Sequence, residues 1–407
     1  MEVDGRRAQT FFARARTDAA GLSALRAASC GDGPVVAASV DLPVRFCGQV
    51  AATRGPARLE DIRHLVGIDV LAEHGLDGNG VWVAIVDGGI SQAALEARNV
   101  SAICDEAHSW AASQQTRPFR FKGGHGTMCA FDVCVGAPRC VLLDFAAFRP
   151  YQPTGDVKAD GPLTAMLSDA VTAYSRLCEL LLNEIRDGRV RSLVVSNSWE
   201  VDAKRDFPPD NPLNYSCNPN HAMNKIVNRL ALLGADILFS SGNTTAIERD
   251  GLLRLISGAN AHPEVLTIAG VDVESRRLDM SRPGPGTLST EKPDVAAYSR
   301  FHGSATMGTS IPDDGTSAAC ALAAGVVAAI RSGFPYDPKR PETSPAALRS
   351  IVKKQARDVG SQGFDYDCGW GILDAAAVAE ALLSPPANFR PADWHQRPLA
   401  VALRPVR

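Results

Sequence analysis

The chain has 407 residues, of which 45% are hydrophobic and 21% are charged, and its formal net charge is −3. This length and composition are typical of a globular protein with one large core, or with one large domain and small appendages. The small net charge gives no electrostatic reason to expect nucleic acid or an anionic membrane as a partner.

The start of the chain and the cysteines favour a cytoplasmic protein. The opening stretch MEVDGRRAQTFFARARTD contains no apolar core of signal-peptide length, and no uncharged apolar segment is long enough to span a membrane. The ten cysteines form no C-x-x-C pair and fit no zinc module. We therefore expect reduced thiols, most of them small core residues, rather than a disulfide framework. The sequence does not indicate an oligomeric state.

Residues 1–57 differ in character from the rest of the chain. They contain an Arg-rich helical stretch and then PVVAASVDLPVRFCGQV, which favours one or two strands. We interpret them as a permanent N-terminal extension that packs on the main domain. At the other end, the proline-containing residues 384–407 predict a loop-rich tail.

Between these termini, strand and helix patterns alternate. Continuous apolar runs predict buried strands, and apolar residues at helical spacing predict helices. The predicted strands are Gly80–Asp87, Cys140–Phe148, Ser192–Trp199, Asp236–Asn243 and Glu264–Asp272, and the predicted helices are Leu163–Ile185, Met223–Ala235 and Ala318–Ile330. This alternation predicts an α/β fold of three layers, with a central, mostly parallel sheet covered by helices on both faces.

Ligands of such sheets bind outside the carboxyl ends of the strands, so the polar residues that end the strands are candidates for a site. Asp87 ends the first predicted strand before Gly88-Gly89, and Asn243 ends the strand that closes with SSGN. Taken alone, each is more typical of a turn. His125 lies between glycines at the start of a small and apolar run, so its ring can project from a helix start while the backbone packs closely.

Ser317 precedes the longest run of small apolar residues, in DDGTSAACALAAGVVAAI from Asp313 to Ile330. A helix that is apolar on every face must be buried all round. In its first turn, unpaired N–H groups and the positive end of the helix dipole favour developing negative charge. The position suits a nucleophile, although serine more commonly caps a core helix.

Asp87, His125 and Ser317 occur in the order Asp, His, Ser, which is the chain order of the subtilisin triad. The segments VAIVDGGI, GGHGTMCA and DDGTSAACALAAG resemble the Asp, His and Ser motifs of the subtilases, and SSGN resembles the segment that supplies the oxyanion asparagine. Further landmarks follow in the family's order: SNSW, GVDVESRRLDMSRPGPG, KPDVAAYS and FDYDCGWGILDAAAV. The resemblance extends over about Arg58 to Leu382, and residues 58–383 are identified as a subtilisin-like serine peptidase domain.

The resemblance implies catalysis through an acyl-enzyme. Ser317 would attack the scissile carbonyl, His125 would take its proton, and Asp87 would orient the imidazole. The Asn243 side chain and the Ser317 backbone N–H would form the oxyanion hole. The substrate-binding residues implied by the family are Ser198, Trp199, Glu200, Ser241 and Gly242.

Three positions depart from the family pattern. Met128 stands where a second histidine is frequent, Ala321 where proline is usual, and Glu200 where glycine is common in the strand that lines the specificity pocket and pairs with substrate. If the Glu200 carboxylate reached the pocket, it would favour a basic P1 residue. We instead favour a carboxylate that points to solvent, because burying one without a partner is costly, and a hydrophobic P1 residue beside Trp199.

Peptide or protein substrates are the expected partners, and the leading function is an endopeptidase. A dedicated peptide-maturation protease or a macrocyclase would use the same chemistry, so these remain open. A catalytically inactive binding module conflicts with the intact set of site residues, and nothing favours a structural protein. No G-x-S-x-G motif supports an α/β-hydrolase. Calcium is frequent in the family, but no acidic loop has ligand spacing, so we predict no metal site and no required cofactor.

Overall fold

A computed structural model describes residues 2–3, 6–7, 20–21, 23–25, 41–46, 55–112, 117–148, 165–184, 192–201, 211, 214–244, 255–306 and 308–384. Its strands are β1 (Glu2–Val3), β2 (Arg6–Arg7), β3 (Pro43–Phe46), β4 (Ala57–Arg58), β5 (Val81–Asp87), β6 (Ile103–Cys104), β7 (Trp110–Ala111), β8 (Val141–Ala146), β9 (Ala165–Met166), β10 (Ser192–Asn197), β11 (Trp199–Val201), β12 (Asp236–Ser240), β13 (Leu266–Val271), β14 (Val295–Tyr298) and β15 (Phe301–His302). Its α-helices are α1 (Leu59–Val66), α2 (Ile68–Glu73), α3 (Gln92–Ala97), α4 (His125–Gly136), α5 (Leu167–Glu184), α6 (Ala222–Leu232), α7 (Gly315–Gly333), α8 (Pro345–Gln355) and α9 (Ala375–Leu383), and short 3₁₀-helices lie at Gly258–Ala261 and Pro341–Thr343.

Within the described residues, the central sheet has eight strands in the order β14-β13-β12-β10-β5-β8-β6, with β7 also paired to β8. Each of these pairs is parallel. The middle strands are apolar along their whole length, as expected for a parallel sheet that is covered on both faces, and all seven residues of β5 are buried. The predicted parallel sheet is confirmed.

Helices cover both faces of this sheet and enclose two cores. Helices α4 and α7 pack on one face, where α1, α2, α8 and α9 contribute further apolar residues. Helices α5 and α6 pack on the other face. This arrangement confirms the three-layer α/β architecture that was predicted from the alternating pattern.

Helix α7 lies at the centre of the first core. By length and hydropathy it could cross a membrane, but it is wholly buried inside the protein, as its even apolarity predicts. Arg331 near its end is buried too, and its guanidinium makes a two-point ion pair with Asp236 at 2.6 and 2.8 Å. The helix begins at Gly315, three residues earlier than predicted, with the Asp314 carboxylate as its N-cap.

The predicted strand Ser192–Trp199 is in fact two strands in different sheets. β10 stays in the central sheet and ends at Asn197, whereas β11 begins at Trp199 and leaves it. The Asn197 side chain donates a hydrogen bond to the Leu238 carbonyl at 3.0 Å, which ties the end of β10 to β12. A sequence pattern of apolar residues shows no such break, because both strands are buried.

β11 belongs to a small antiparallel sheet with the order β11-β3-β9. Its middle strand, β3, comes from the N-terminal extension, so this part of the extension packs on the main domain. Glu200 pairs with Arg45, and Val44 pairs with both Val201 and Ala165. Of the predicted tail at 384–407, only Ser384 lies within the described residues.

Candidate active site

Asp87 is the last residue of β5, at the carboxyl edge of the central sheet. It is 1% exposed, and its Oδ1 accepts a hydrogen bond from the Gly88 N–H at 2.7 Å. The neighbouring strands β8 and β10 end at the same edge, as the rule for parallel sheets predicts.

His125 is the first residue of α4, which brings its ring to the Asp87 carboxylate. The imidazole Nδ1 lies 2.9 Å from Oδ2 and 3.1 Å from Oδ1 of Asp87. A carboxylate can only accept, so Nδ1 carries the proton and Nε2 is left as the basic nitrogen of the neutral ring. The structure thus joins two residues that the sequence places 38 positions apart.

Cys129, one helical turn after His125, was missed as a site residue by sequence reasoning. Its Sγ lies 3.9 Å from the His125 Nδ1 and 4.0 Å from the Asp87 Oδ2. Burial, and next the negative charge of Asp87, raise the pKa of this thiol well above its usual range, which keeps it neutral. Spacing of i and i+4 on one helix face could have suggested the contact.

Within the described residues, one group has ligand atoms close enough together to hold a metal ion. It consists of Asp87, His125 and Cys129. Thiolate, imidazole and carboxylate suit a soft or borderline ion such as Zn²⁺. Such an ion would need the same Asp87 and His125 atoms that bond each other here. Metal binding and the Asp87–His125 hydrogen bond would therefore exclude each other.

Ser317 is the third residue of α7, in the first turn after the Asp314 cap. It is 1% exposed, and its hydroxyl makes no hydrogen bond among the described residues. Its carbonyl accepts a hydrogen bond from the Ser198 hydroxyl at 3.4 Å. Helices α4 and α7 pack in the same core, so Ser317 lies on the same side of the sheet as His125 and its partner Asp87.

Asn243 follows β12 and faces the start of α7. Its Oδ1 accepts hydrogen bonds from the Thr316 N–H at 3.1 Å and from the Thr316 hydroxyl at 2.8 Å. The backbone N–H can only donate, so the oxygen of the amide must face Thr316, and Nδ2 points the other way. Gly315 lies against this Nδ2 with φ +77°, and a Cβ there would come within 2.7 Å of it. The helix start and the amide therefore fit only with glycine at that position.

Glu200 does not point to solvent, and the sequence-based expectation for it was wrong. The side chain is 11% exposed and forms an ion pair with Arg282, with 3.1 Å between Oε2 and Nη2. Arg282 also donates to the Asn243 carbonyl at 3.3 Å. A carboxylate can be buried when a guanidinium is supplied from elsewhere in the fold, and that partner lies 82 residues away in the sequence.

The Trp199 side chain does not form the apolar wall that the sequence suggested. The indole is fully buried in the second core, where it meets Phe148 and Phe239 edge to face. Its Nε1 donates to the Asn197 side chain at 3.2 Å. Only the main chain of Trp199 is therefore placed to line a substrate cleft, and its carbonyl accepts from the Asn260 amide at 2.9 Å.

β3 occupies the edge of β11 at which an extended peptide could pair. The strand runs antiparallel to β11, so its chain direction leads from Val201 past Trp199 toward Ser198, which contacts Ser317. A substrate that pairs with β11 in this direction, as the family resemblance implies, would follow the path that β3 takes.

Comparisons with known proteins agree with this architecture. The family model described as "Subtilase family" matches residues 78–371. No curated protein sequence matches the chain. Among solved structures, the fold is similar to that described as "Crystal structure of MycP1 with the N-terminal propeptide removed", with a TM-score of 0.52 and 18% sequence identity over 78% of this chain and 96% of that one. Because the family model covers most of the chain, including the segments of Asp87, His125 and Ser317, this protein belongs to the subtilase family of serine peptidases.

Proposed function

We propose that the protein is a serine endopeptidase in which Asp87, His125 and Ser317 form the catalytic triad. The observation that carries this proposal is the 2.9 Å contact between the His125 Nδ1 and Asp87 Oδ2, on the same side of the sheet as a buried serine in the first turn of α7. These are the parts that acyl transfer to a hydroxyl requires: a nucleophile, a base and a group that orients the base.

In the first half of the reaction, the Ser317 Oγ attacks the carbonyl carbon of the scissile peptide bond. His125 Nε2 takes the hydroxyl proton as the new C–O bond forms and then gives it to the departing amine. Asp87 keeps the proton on Nδ1 and stabilises the imidazolium by its negative charge. The C–N bond breaks, the amine leaves, and the acyl group remains on Ser317.

The tetrahedral intermediate carries a negative oxygen that needs fixed donors. The Asn243 Nδ2 is suited to this role because Thr316 holds the other end of the amide. The Ser317 N–H in the first turn of α7 is the second donor, and the positive end of the helix dipole adds to the field. Such donors act strongly because they need no reorganisation during the reaction.

In the second half, a water molecule attacks the acyl carbonyl while His125 Nε2 takes its proton. The intermediate again places its oxygen at Asn243, and the collapse returns the proton from His125 to the Ser317 oxygen. The acid product leaves and the triad is restored. This cycle requires no metal or cofactor. We propose, as the sequence led us to expect, that the enzyme is cytoplasmic and needs no cofactor.

Labelling with a fluorophosphonate tests the triad, because the reagent phosphorylates a serine only when a neighbouring base activates it. We expect one adduct by intact mass, mapped to Ser317 by peptide mass spectrometry. Ser317→Ala and His125→Ala should abolish it. Ser332→Ala is the matched control, since Ser332 lies near the far end of the same helix, where its hydroxyl donates to the Ala329 carbonyl. An adduct elsewhere, or none in folded protein, would refute the proposal.

A further inference from the structure

The buried pair of Glu200 and Arg282 lies beside the candidate site and has no part in the triad. Both side chains are nearly inaccessible, at 11% and 6% exposure. The guanidinium Nη2 lies 3.1 Å from Oε2 and 3.3 Å from Oε1 of Glu200. Neither group acts in the reaction described above, so catalysis does not explain why the two charges are buried beside the site.

The pair fills the space between β11 and the segment Ser241–Asn243. A Cβ on Gly242 would lie 2.5 Å from the Glu200 Oε2 and 3.1 Å from the Arg282 Nε, so both charged groups touch the Gly242 backbone. The Arg282 backbone N–H also donates to the Gly242 carbonyl at 2.9 Å. The carboxylate thus reaches across from one segment to the other.

Asn260 bridges the same two parts of the chain. Its Nδ2 donates to the Trp199 carbonyl on β11 and to the Ser240 carbonyl at the end of β12, each at 2.9 Å. The two segments are therefore fixed to each other by a side chain that is 2% exposed. A cleft with both walls tied together cannot widen easily to admit a bulky group.

The first residue of the acyl half, P1, must lie in this cleft. Its carbonyl carbon is bonded to the Ser317 Oγ and its oxygen points to Asn243, while its main chain continues antiparallel to β11 along the path that β3 takes. That geometry sets P1 opposite Ser198. Side chains alternate along a strand, so the P1 side chain lies on the same face as Glu200, two positions further on.

We propose that Glu200 and Arg282 fill the base of the P1 site and restrict P1 to small side chains such as Gly, Ala or Ser. A large side chain would have to separate the ion pair, and an uncompensated buried charge is strongly unfavourable. A basic P1 residue would also compete with Arg282 for the same carboxylate. This inference rests on the proposed peptidase activity and names its substrate class.

The test is a set of tripeptide p-nitroanilides that differ only at P1, with Ala, Phe or Arg. We expect wild-type kcat/KM to be at least about tenfold higher for Ala than for Phe or Arg, the size of discrimination that one apolar group can give. In Glu200→Ala/Arg282→Ala the Ala-to-Phe ratio should fall about tenfold or more, with faster turnover of the Phe substrate. A misfolded protein would lose activity on every substrate, so faster turnover of the Phe substrate cannot result from misfolding.

Two controls separate space-filling from other effects. Glu200→Gln/Arg282→Met keeps the volume, which still excludes Phe, but removes the cost of separating an ion pair. Its Ala-to-Phe ratio should therefore lie between those of wild type and Glu200→Ala/Arg282→Ala. Glu264→Ala/Arg349→Ala removes an ion pair of the same residue types, 2.9 Å long, that lies between α8 and the loop before β13, and should leave the P1 ratio unchanged. This control variant measures how much the loss of an ion pair elsewhere in the protein changes the P1 ratio.

The possible results distinguish this inference from the function on which it rests. Failure of the fluorophosphonate to label Ser317 would overturn both. A labelled Ser317 with a wild-type preference for Phe or Arg would overturn only the P1 proposal. An unchanged ratio in Glu200→Ala/Arg282→Ala would also overturn it.

Discussion

The Oδ1 of Asn243 accepts two hydrogen bonds from Thr316, one from the N–H at 3.1 Å and one from the hydroxyl at 2.8 Å. Thr316 is the residue before Ser317, so the proposed nucleophile and the proposed oxyanion donor are fixed to one helix start. Any shift of α7 would move both together. This coupling preserves the spacing between the attacking oxygen and the Asn243 Nδ2.

Replacing Asn243 with alanine should lower kcat by roughly a hundred- to a thousandfold, the loss found for the same role in subtilisin, with little change in KM. The donor acts on the charged intermediate and not on the neutral substrate, so binding of the substrate should be spared. Steady-state kinetics on a chromogenic peptide would measure both constants. Asn220→Ala, at an exposed loop position, is the matched control. An unchanged kcat would remove Asn243 from the oxyanion hole.

Weakening β3 should accelerate cleavage of extended peptides. β3 is a middle strand that pairs with β11 on one side and β9 on the other, and Arg45→Pro removes a backbone donor from it. We expect a higher kcat/KM for this variant, because a substrate main chain would displace the strand from β11 more easily. Arg45→Lys should behave as wild type. An equal or lower kcat/KM for Arg45→Pro, in protein with unchanged circular dichroism, would contradict the idea that β3 lies in the substrate path.

Arg331→Met should destabilise the fold by about 3–5 kcal/mol, because it leaves the buried Asp236 carboxylate without its partner. Arg331 also donates to the Thr343 carbonyl at 2.7 Å, which links the end of α7 to the following turn. The free energy of unfolding from denaturant titration would measure the loss. Arg139→Met breaks the more exposed pair with Asp77 and should change stability little. Similar stability of the two variants would refute the prediction.

The wild-type protein should lose stability relative to its Asp144→Asn variant as the pH rises. Burial raises the pKa of Asp144 to about 7, while hydrogen bonds from the Phe119 and Ile90 N–H groups lower it and the nearby Asp87 raises it. The folded protein therefore binds a proton that the unfolded chain has lost above its ordinary pKa of 3.8. This contribution to stability is complete below that ordinary pKa and is lost as the pH rises through about 7.

The measurement is the difference in unfolding free energy between wild type and Asp144→Asn at pH 4.5 and pH 8. The asparagine oxygen can still accept the two N–H bonds but does not titrate, so the variant should gain stability relative to wild type across this range. Other titrating groups cancel in the difference, among them His221 and His262, whose pKa values burial lowers to about 4. A difference that does not change with pH would show that Asp144 has an ordinary pKa in the folded protein.

Several features of this protein follow from the sequence alone. The alternating patterns determine a parallel sheet between helix layers, since uninterrupted apolar strands must be covered on both faces. The apolar run after Ser317 determines a buried helix with the serine in its first turn. These inferences succeed because they depend on neighbouring residues and on the short periods of strands and helices.

Only the tertiary structure decided the environment of the site. Glu200 is buried because Arg282, 82 residues later, comes to lie beside it, and no local pattern records such a pairing. The same holds for β3, whose partner β11 comes from a distant part of the chain. The cost of burying a carboxylate depends on what surrounds it in space. The sequence alone therefore identifies the candidate reactive residues, whereas the surroundings of those residues depend on contacts that exist only once the chain has folded.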